Sequence, residues 1–505
     1  MTMFTPADKL HRLVKQALDS GAAASIAEAE LLFAGYHVGL HVDAADAADP
    51  HCQAALLTAV TLARRVFLGG VTVAPLPEVP LLAPLKVGDT LADAVRALGG
   101  SVKEIPDGTP QIDIGGARWP RRIGFHVRTV FAGWRGGIVP AHSDTFSSGE
   151  PVMPLAPMLA AALAVNEAFM FVSGGMAMAG RRPVGLSLWN PAPACDWLSP
   201  NEEEPTLRLL PSCLWLIGLG HLGQAYLWAL GLLPYASSDP VSLLLQDVDI
   251  ITPSTESTSV LSDAAMHGRK KTRAMAEWAE RRGFATTIHE RLFDASFRRQ
   301  ADEPAVALCG LDNALGRQAL DQVGFDFVVE AGLGRGHRDF RSLRVHTLPA
   351  SRAATDIWRN QDSAEAVEGS PAYANMLQNG DLDKCGVTLL AGKAVGAPFV
   401  GAVAATLAMS EVLRMLHGGV VHELIDMDLK FPEYRSAVPT SMDFSMLNPG
   451  YVVSDIAPSR SGVAKPRLNE LGKPEPGILP DSTYGISSGR PRTAGSLSGQ
   501  VVQCL

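Results

Sequence analysis

A glycine-rich turn is the part of the sequence best suited to chemistry. Gly218, Gly220 and Gly223 fill a GxGxxG pattern between the apolar runs LWLIGLG and AYLWALGLL. Such glycines allow a tight turn and a close approach of the backbone to a phosphate, with the N-terminus of the following helix facing the anion. The pattern predicts a nucleotide-binding loop. By itself it fits a dehydrogenase and a nucleotidyl transferase equally well.

Charged residues at fixed spacing follow the turn. Asp247 ends a second predicted strand 24 residues after Gly223, where a carboxylate can accept both ribose hydroxyls. Asp249 follows, then Lys271 in HGRKK, and then Asp312 at the end of the predicted strand AVALCGLDN. Nucleotidyl transfer needs a cation on the phosphates and a carboxylate on Mg²⁺. An NAD-dependent oxidoreductase would need an acid or base beside its nicotinamide, and no such set is evident, so we favour ATP chemistry.

The order of these segments resembles a known family over roughly residues 212–430. The segments are GLGHLG, QDVDIITPSTESTSVL, GRKK, GLDNALGR, a cysteine and GAPFVGAVAATLAMSEVLRMLHGG. They are similar to the adenylation domain of the ThiF/MoeB/HesA superfamily, the ubiquitin-activating-enzyme-like proteins. The resemblance implies a nucleotide loop and binding groups for the ribose, the phosphates and Mg²⁺ of ATP. Gly218, Gly220 and Gly223 would form the loop, and Asp247, with Asp249 beside it, would bind the ribose. Lys271 would bind the phosphates, and Asp312 would bind Mg²⁺.

The sequence departs from this family in the segment PSTESTS. The family carries an asparagine and an arginine soon after the second aspartate, whereas this chain has Thr255 and Thr258. An arginine contact to the phosphates is therefore missing or comes from elsewhere. The candidates are Arg269, Arg273 and the first half of the chain. Asn313 and Arg317 belong to the matching motif, and we expect them to brace its helix.

Cys385 is the candidate nucleophile. It ends the polar stretch 351–385, which has little periodicity and is predicted to be a long loop. Family members that form a thioester carry their nucleophile in a crossover loop at this place. An exposed thiol there can reach an acyl adenylate, and Lys384 would raise its thiolate fraction. A buried packing cysteine is the alternative, and it is the favoured interpretation for Cys213 and Cys309, which lie inside apolar strands.

Two pairs of segments repeat in the same order along the chain. ALAVNEAFMFVSGG (162–175) aligns with TLAMSEVLRMLHGG (406–419), and GFHVRTVFAG (124–133) resembles GFDFVVEAG (324–332). We interpret the two pairs as a duplication of one α/β unit. The alternative is that both are generic patterns of helix and strand.

The predicted fold class is α/β, with two tandem Rossmann-like adenylation-type domains. We expect an inactive first domain at 1–205 and an active ATP-binding domain at 206–440, with a catalytic-cysteine crossover loop at about 345–390. The segment 441–505 turns to Pro, Gly and Ser and is expected to be a largely disordered C-terminal extension. The two halves would form an internal pseudo-dimer, and a homodimer is possible.

Composition narrows the partners and the compartment. With 43 basic and 52 acidic residues the net charge is -9, which disfavours nucleic acid as a partner. The charged N-terminus shows no export signal, and charged residues interrupt the longest apolar stretches, so we expect no membrane span and a cytoplasmic protein. Six scattered cysteines without a CxxC pair argue against disulfides and a four-cysteine zinc site.

The resemblance implies an activating enzyme for a ubiquitin-like protein. Using ATP and Mg²⁺, it would adenylate the C-terminal carboxylate, capture the acyl group on Cys385 as a thioester and pass it to a conjugating-enzyme-like partner. The alternative is adenylation of a sulfur carrier, a peptide or a tRNA without an enzyme thioester. A non-enzymatic scaffold is a further possibility. Analogy with bacterial ubiquitin-like conjugation operons suggests a role in antiviral defence.

Overall fold

The fold was analysed in a computed structural model of the chain. The structure describes residues 4–116, 123–146, 151–237, 239–359, 371–379 and 383–454. The predicted disordered extension lies outside the described residues from position 455 onward. Parallel strands alternate with helices, which confirms the predicted mixed α/β class.

The first half of the described chain forms one sheet with its helices. Its strands are β1 (His37–Val42), β2 (Gly70–Val73), β3 (Ser101–Val102), β4 (Gln111–Ile114), β5 (His126–Ala132), β6 (Arg135–Pro140) and β7 (Val184–Ser187). Its helices are α1 (Pro6–Lys9), α2 (Lys15–Asp19), α3 (Ile26–Ala34), α4 (Pro50–Ala63), α5 (Leu91–Ala97) and α6 (Leu155–Val172). The strand order is β3-β2-β1-β4-β5-β6-β7. The pairs from β3 to β5 are parallel, and the last two pairs are antiparallel.

The second half repeats this plan. Its strands are β8 (Leu209–Pro211), β9 (Cys213–Ile217), β10 (Ser242–Gln246), β11 (Ala285–His289), β12 (Val306–Cys309), β13 (Phe327–Leu333), β14 (Ser342–Leu348), β15 (His422–Asp428), β16 (Ser436–Pro439) and β17 (Tyr451–Val453). Its helices are α7 (His221–Leu232), α8 (Pro253–Glu256), α9 (Lys271–Arg281), α10 (Ala314–Gln318), α11 (Ala354–Ile357), α12 (Pro371–Gln378), α13 (Lys384–Ala391) and α14 (Pro398–Leu416). The main sheet has the order β11-β10-β9-β12-β13-β14-β15-β16, and β8 pairs with β17 separately.

The predicted repeat is confirmed by equivalent positions in the two sheets. From β1 to β7 and from β9 to β15, strand order and direction are the same. The paired segments near 162 and 406 lie in α6 and α14, each between the antiparallel strands that follow the parallel set. The segments near 124 and 324 become β5 and β13, which are likewise equivalent.

Helices α6 and α14 pack against each other in the core that joins the two halves. By length and composition both are apolar enough to cross a membrane, but 89% and 94% of their apolar windows are buried inside the protein. An almost wholly apolar helix needs such burial on all sides. The two helices therefore behave as core helices of this fold.

Side chains in α4 and just after it hydrogen-bond the first half to the segment around PSTESTS. The Arg65 guanidinium, just after α4, is buried and donates to the carbonyl oxygens of Glu256 at 2.8 Å and Ser262 at 2.7 Å. The Thr61 hydroxyl donates to the carbonyl of Val260 at 3.2 Å. Because a buried guanidinium needs its donors satisfied, these bonds fix the path of the segment in the second half.

The stretch 351–385 is not the continuous loop that its polar composition predicted. Its described residues include α11, α12 and the start of α13. In α12, Ala372, Tyr373 and Met376 lie at helical spacing and are buried, and Asp383 caps α13 by accepting from the amide of Gly386 at 2.7 Å. The apolar pattern of these helices covers too few residues to be recognised among the polar residues around it.

The first-half counterpart of the glycine turn is acidic. Between β1 and α4 the chain reads DAADAAD, residues 43–49. Asp46 accepts from the amide of Gly116 at 2.9 Å, and one oxygen of Asp49 accepts from the amides of His51 and Cys52, both at 2.8 Å. A carboxylate thus already takes the place at the α4 N-terminus that an anion would use.

Replacing this capping carboxylate should weaken α4. We expect Asp49→Ala to lower the free energy of unfolding by about 1 kcal/mol, since two amides lose their acceptor. Asp49→Ser retains a capping oxygen and should stay within a few tenths of a kcal/mol of the wild type. Urea unfolding of the three proteins would measure the difference. Equal stability of the alanine variant and the wild type would contradict the assignment of the cap.

Candidate functional site

The predicted site residues meet at the carboxyl ends of three adjacent parallel strands. Gly218 follows β9, Asp247 follows β10, and Asp312 lies three residues after β12. Strand β9 is flanked by β10 and β12, so the chain order reverses between β9 and β12. In open α/β sheets, ligands bind at the crevice that such a reversal creates.

The glycine turn is closely packed at this crevice. Gly218 has φ +82°, a left-handed conformation that favours glycine. A Cβ atom on Gly223 would lie 2.0 Å from the carbonyl oxygen of Gly218, so the first turn of α7 rests directly on the loop. Among the described side chains, none caps α7 at Gly220. The helix start therefore presents backbone amides to an anion, in contrast to α4 with Asp49.

Lys271 is held between two carboxylates beside the turn. It begins α9, and its ammonium lies 2.8 Å from an Asp249 oxygen and 3.7 Å from an Asp247 oxygen. Burial opposes the charged ammonium, but the charges of Asp247 and Asp249 outweigh burial and raise the pKa of Lys271. A Cβ on Gly220 would be 3.9 Å from the Lys271 nitrogen. The Lys271 ammonium therefore lies beside the glycine turn, where the phosphates of a nucleotide would bind.

Asp247 also braces the turn. One of its oxygens accepts from the amide of Leu219 at 2.7 Å, and the other accepts from the amide of Asp249 at 2.8 Å. Each carboxylate oxygen has a further lone pair. Binding of a ribose by Asp247 stays a prediction, and Asp249, whose side chain is largely exposed, lies beside it.

Asp312 completes the set from the neighbouring strand. It is exposed, and its charge acts on both Lys271 and Arg12. Within the part of the chain that the structure describes, no three His, Cys, Asp or Glu side chains are grouped so as to hold a metal ion. The donor set fits Mg²⁺ only as one carboxylate ligand, with the remaining ligands supplied by nucleotide phosphates and water.

Arg12, which the sequence did not single out, lies close to the start of α7. Its amide donates to the Ser257 hydroxyl at 3.1 Å, and its guanidinium donates to the carbonyl of Ala394 at 3.2 Å. A Cβ on Gly396 would lie 3.7 Å from the Arg12 Cβ and 3.8 Å from the ring of His221, the first residue of α7. Burial lowers the pKa of Arg12, and the charge of Asp312 opposes this shift.

The PSTESTS segment has a structural role in this chain. It forms α8, in which Thr252 and Thr255 make a capping box, and Ser257 holds the main chain of Arg12. Arg269 and Arg273, the other predicted sources of a cation, pair with Glu277 and Glu290 on the exposed side of α9. Arg12 belongs to the first half, and a phosphate contact from that half stays a prediction. No local pattern around HRLVKQ marks it.

Asn313 and Arg317 brace α10 as predicted. Asn313 caps the helix by accepting from the amide of Gly316 at 2.6 Å. The Arg317 guanidinium donates to the carbonyl of Leu311 at 2.9 Å and pairs with buried Glu330 at 2.8 Å. These contacts hold the strand end that carries Asp312.

Cys385 is exposed, with a free thiol, as the second residue of α13. Helix α13 contacts α1, which in turn contacts α8. The structure thus puts the thiol on a helix that packs against the N-terminal helix beside Arg12. Its role as a nucleophile stays a prediction.

Of the two strand cysteines, Cys309 is buried, as predicted, whereas Cys213 is only partly buried. Cys309 ends β12, and burial raises the pKa of its thiol to about 12. Cys213 begins β9, where burial also raises the thiol pKa. Cys504 lies outside the described residues.

These environments predict selective alkylation. At pH 8, iodoacetamide should modify Cys385 within minutes and leave Cys309 unmodified, because Cys385 is exposed and Cys309 is buried with a raised pKa. Peptide mass spectrometry of a Cys504→Ser background would quantify both sites, with protein unfolded in guanidinium as the control for full labelling. Equal labelling of both sites in the folded protein would contradict the placement of the two thiols.

Comparison with known proteins gives the family. Residues 37–188 match the model of the BilD N-terminal domain, and residues 210–419 match that of the BilD C-terminal domain. A relative from Collimonas sp. (strain OK412), bacterial E1-like protein BilD, is 45% identical over 428 residues, which cover 82% of this chain and 90% of the relative.

Solved structures are more distant. E. coli MccB with ATP is 12% identical, with a TM-score of 0.31, over 46% of this chain and 65% of its own. PaaA is 12% identical, with a TM-score of 0.31, over 45% of this chain and 64% of its own. The chain thus spans just under two thirds of either, and likenesses this distant carry no conclusion about the site. The BilD relative and both domain models show the family: the chain belongs to the BilD family of bacterial E1-like proteins.

Proposed function

We propose that this chain adenylates the C-terminal carboxylate of a ubiquitin-like protein with ATP. The observation that carries the proposal is the meeting of a glycine turn, Lys271, Asp312 and Arg12 at one crevice of the second sheet. An E1-like relative that is 45% identical supports the substrate class. A crevice that brings two cations and the Asp312 carboxylate to a glycine turn suits the transfer of a nucleotidyl group better than the transfer of a hydride.

In the adenylation step, a carboxylate oxygen of the substrate attacks the α-phosphorus of ATP, and pyrophosphate leaves with the electrons of the broken P–O bond. The amides at the α7 N-terminus hold phosphate oxygens. Lys271 and Arg12 offset the negative charge that would repel the incoming carboxylate. Asp247 accepts from the ribose hydroxyls. Asp312 would hold Mg²⁺, which would supply further charge neutralisation on the phosphates.

The acyl adenylate then gives its acyl group to Cys385. The thiolate attacks the acyl carbonyl, AMP leaves, and a thioester forms that a conjugating-enzyme-like protein receives by exchange of thiols. Exposure of Cys385 on α13 supports this assignment, because the thiol must meet both the acyl adenylate and a partner protein.

Removing the charged groups should abolish the first step. We expect Lys271→Ala and Asp312→Ala each to lower ATP–pyrophosphate exchange by about 100-fold, with circular dichroism unchanged. Lys271→Ala removes a positive charge beside the phosphates, and Asp312→Ala removes the carboxylate that would hold Mg²⁺ there. The assay would include candidate ubiquitin-like proteins. Lys103→Ala and Asp107→Ala, at exposed positions in the first half, are matched controls and should exchange like the wild type. Unchanged exchange in both site variants would overturn the proposed mechanism.

Loss of the thiol should separate the two steps. We expect Cys385→Ala to keep pyrophosphate exchange and to lose the reductant-sensitive adduct with the ubiquitin-like protein, because only the second step uses the thiol. Cys195→Ala, at a half-buried position, should keep both activities. Non-reducing gels would show the adduct. A wild-type protein that exchanges pyrophosphate without ever forming the adduct would favour the alternative, adenylation of a sulfur carrier, a peptide or a tRNA.

A further inference from the structure

Three buried polar side chains join the N-terminal helices to α12. Lys15 and Asp19 lie one turn apart on α2, with their charged atoms 2.6 Å apart, and each side chain is 1% exposed. The hydroxyl of Tyr373 on α12 donates to the second oxygen of Asp19 at 2.5 Å. The Lys15 ammonium also lies 5.8 Å from the centre of the Tyr373 ring. We call these three residues the Asp19 cluster.

Burial of the charged groups in the Asp19 cluster costs free energy. Burial disfavours the ammonium of Lys15 and lowers its pKa, and only the contact with Asp19 opposes this shift effectively. A buried carboxylate that loses one partner keeps its desolvation cost. The pair is therefore stable only where Tyr373 satisfies Asp19, which fixes α12 against α2 in one position.

Arg12 connects this fixed position to the nucleotide crevice. It lies three residues before Lys15, where α2 begins. Its amide is bound by Ser257, and its carbonyl accepts from the amide of Gly396 at 3.4 Å. The short segment from Arg12 to α2 is thus held at one end by the second half and at the other end by the Asp19 cluster.

We propose that Tyr373 is a positioning residue for ATP binding, and that it acts through Asp19 and α2 on the Arg12 guanidinium. Tyr373 itself does not touch the nucleotide. When its hydroxyl is absent, Asp19 and Lys15 lose their fixed geometry, α2 shifts, and Arg12 no longer meets the phosphates in one orientation. The proposal rests on the function proposed above, in which Arg12 binds phosphate.

The test is the affinity of the full chain for ATP with Mg²⁺, measured by isothermal titration calorimetry. We expect Arg12→Ala to raise the dissociation constant about tenfold and Tyr373→Phe to raise it about fivefold, since a bond to a charged group is lost in each. In the double variant Arg12→Ala/Tyr373→Phe, the constant should equal that of Arg12→Ala, because Tyr373 acts only through Arg12.

A matched control separates positioning from general stability. Tyr235 is also a buried tyrosine, and its hydroxyl donates to the carbonyl of Pro211 at 2.7 Å, apart from the Asp19 cluster. Tyr235→Phe should leave ATP affinity unchanged. Should Tyr373→Phe unfold, Asp19→Asn provides a second route, with the same expected non-additivity with Arg12→Ala.

Each outcome decides a different point. Wild-type affinity in Tyr373→Phe, with weakened binding in Arg12→Ala, would overturn the positioning role and leave the proposed function standing. Additive losses in the double variant would overturn it as well, because Tyr373 would then act by another route. Failure of the wild-type chain to bind ATP would overturn the proposed function itself.

Discussion

The packing of α6 against α14 is the contact on which the rest of the structure depends. Both helices are almost wholly apolar, and neither sheet alone covers its helix on all sides. Bringing the two helices together buries both and sets the two halves against each other. Only in that arrangement can a residue near the chain's start, Arg12, lie beside the first turn of α7 in the second half. A residue of the first half thus lies next to a crevice formed by the sheet of the second half.

The two halves show how one backbone plan supports opposite electrostatics. After β9 the chain has glycines, of which Gly218 has a left-handed conformation. Among the described side chains, none caps the start of α7. After β1 it has aspartates, and Asp49 fills the corresponding helix start. The same topology therefore attracts an anion in one half and supplies its own in the other. The difference arises from a few side chains in one connection and not from the fold.

The sequence predicted the parts of the site that are local. The glycine turn, Asp247, Lys271 and Asp312 each follow a recognisable strand or begin a helix, so pattern and spacing were enough to find them. Arg12 could not be found this way, because its partners Ser257 and Ala394 are hundreds of residues away in sequence. The acidic counterpart of the turn was missed since it has no glycine pattern.

The wrong prediction for the stretch 351–385 has the same physical origin. Its polar composition predicted a loop, yet it contains α12, in which Tyr373 binds Asp19 of α2 and two apolar neighbours are buried. Short helices of this kind gain most of their stability from tertiary contacts and little from propensity. The polar composition of the segment therefore reflects the exposed faces of these helices and does not indicate their buried faces.

The contacts of Arg65 have a consequence for how the PSTESTS segment can vary. Arg65 binds the carbonyl oxygens of Glu256 and Ser262, so it recognises the main chain and not the side chains. Side chains along the segment can be exchanged while this attachment persists, provided the backbone keeps its path. A change of residue type therefore costs the junction between the halves little where the side chain makes no bond across it. Ser257, whose hydroxyl accepts from the Arg12 amide, is an exception. The junction therefore depends on the path of the segment's main chain more than on most of its side chains.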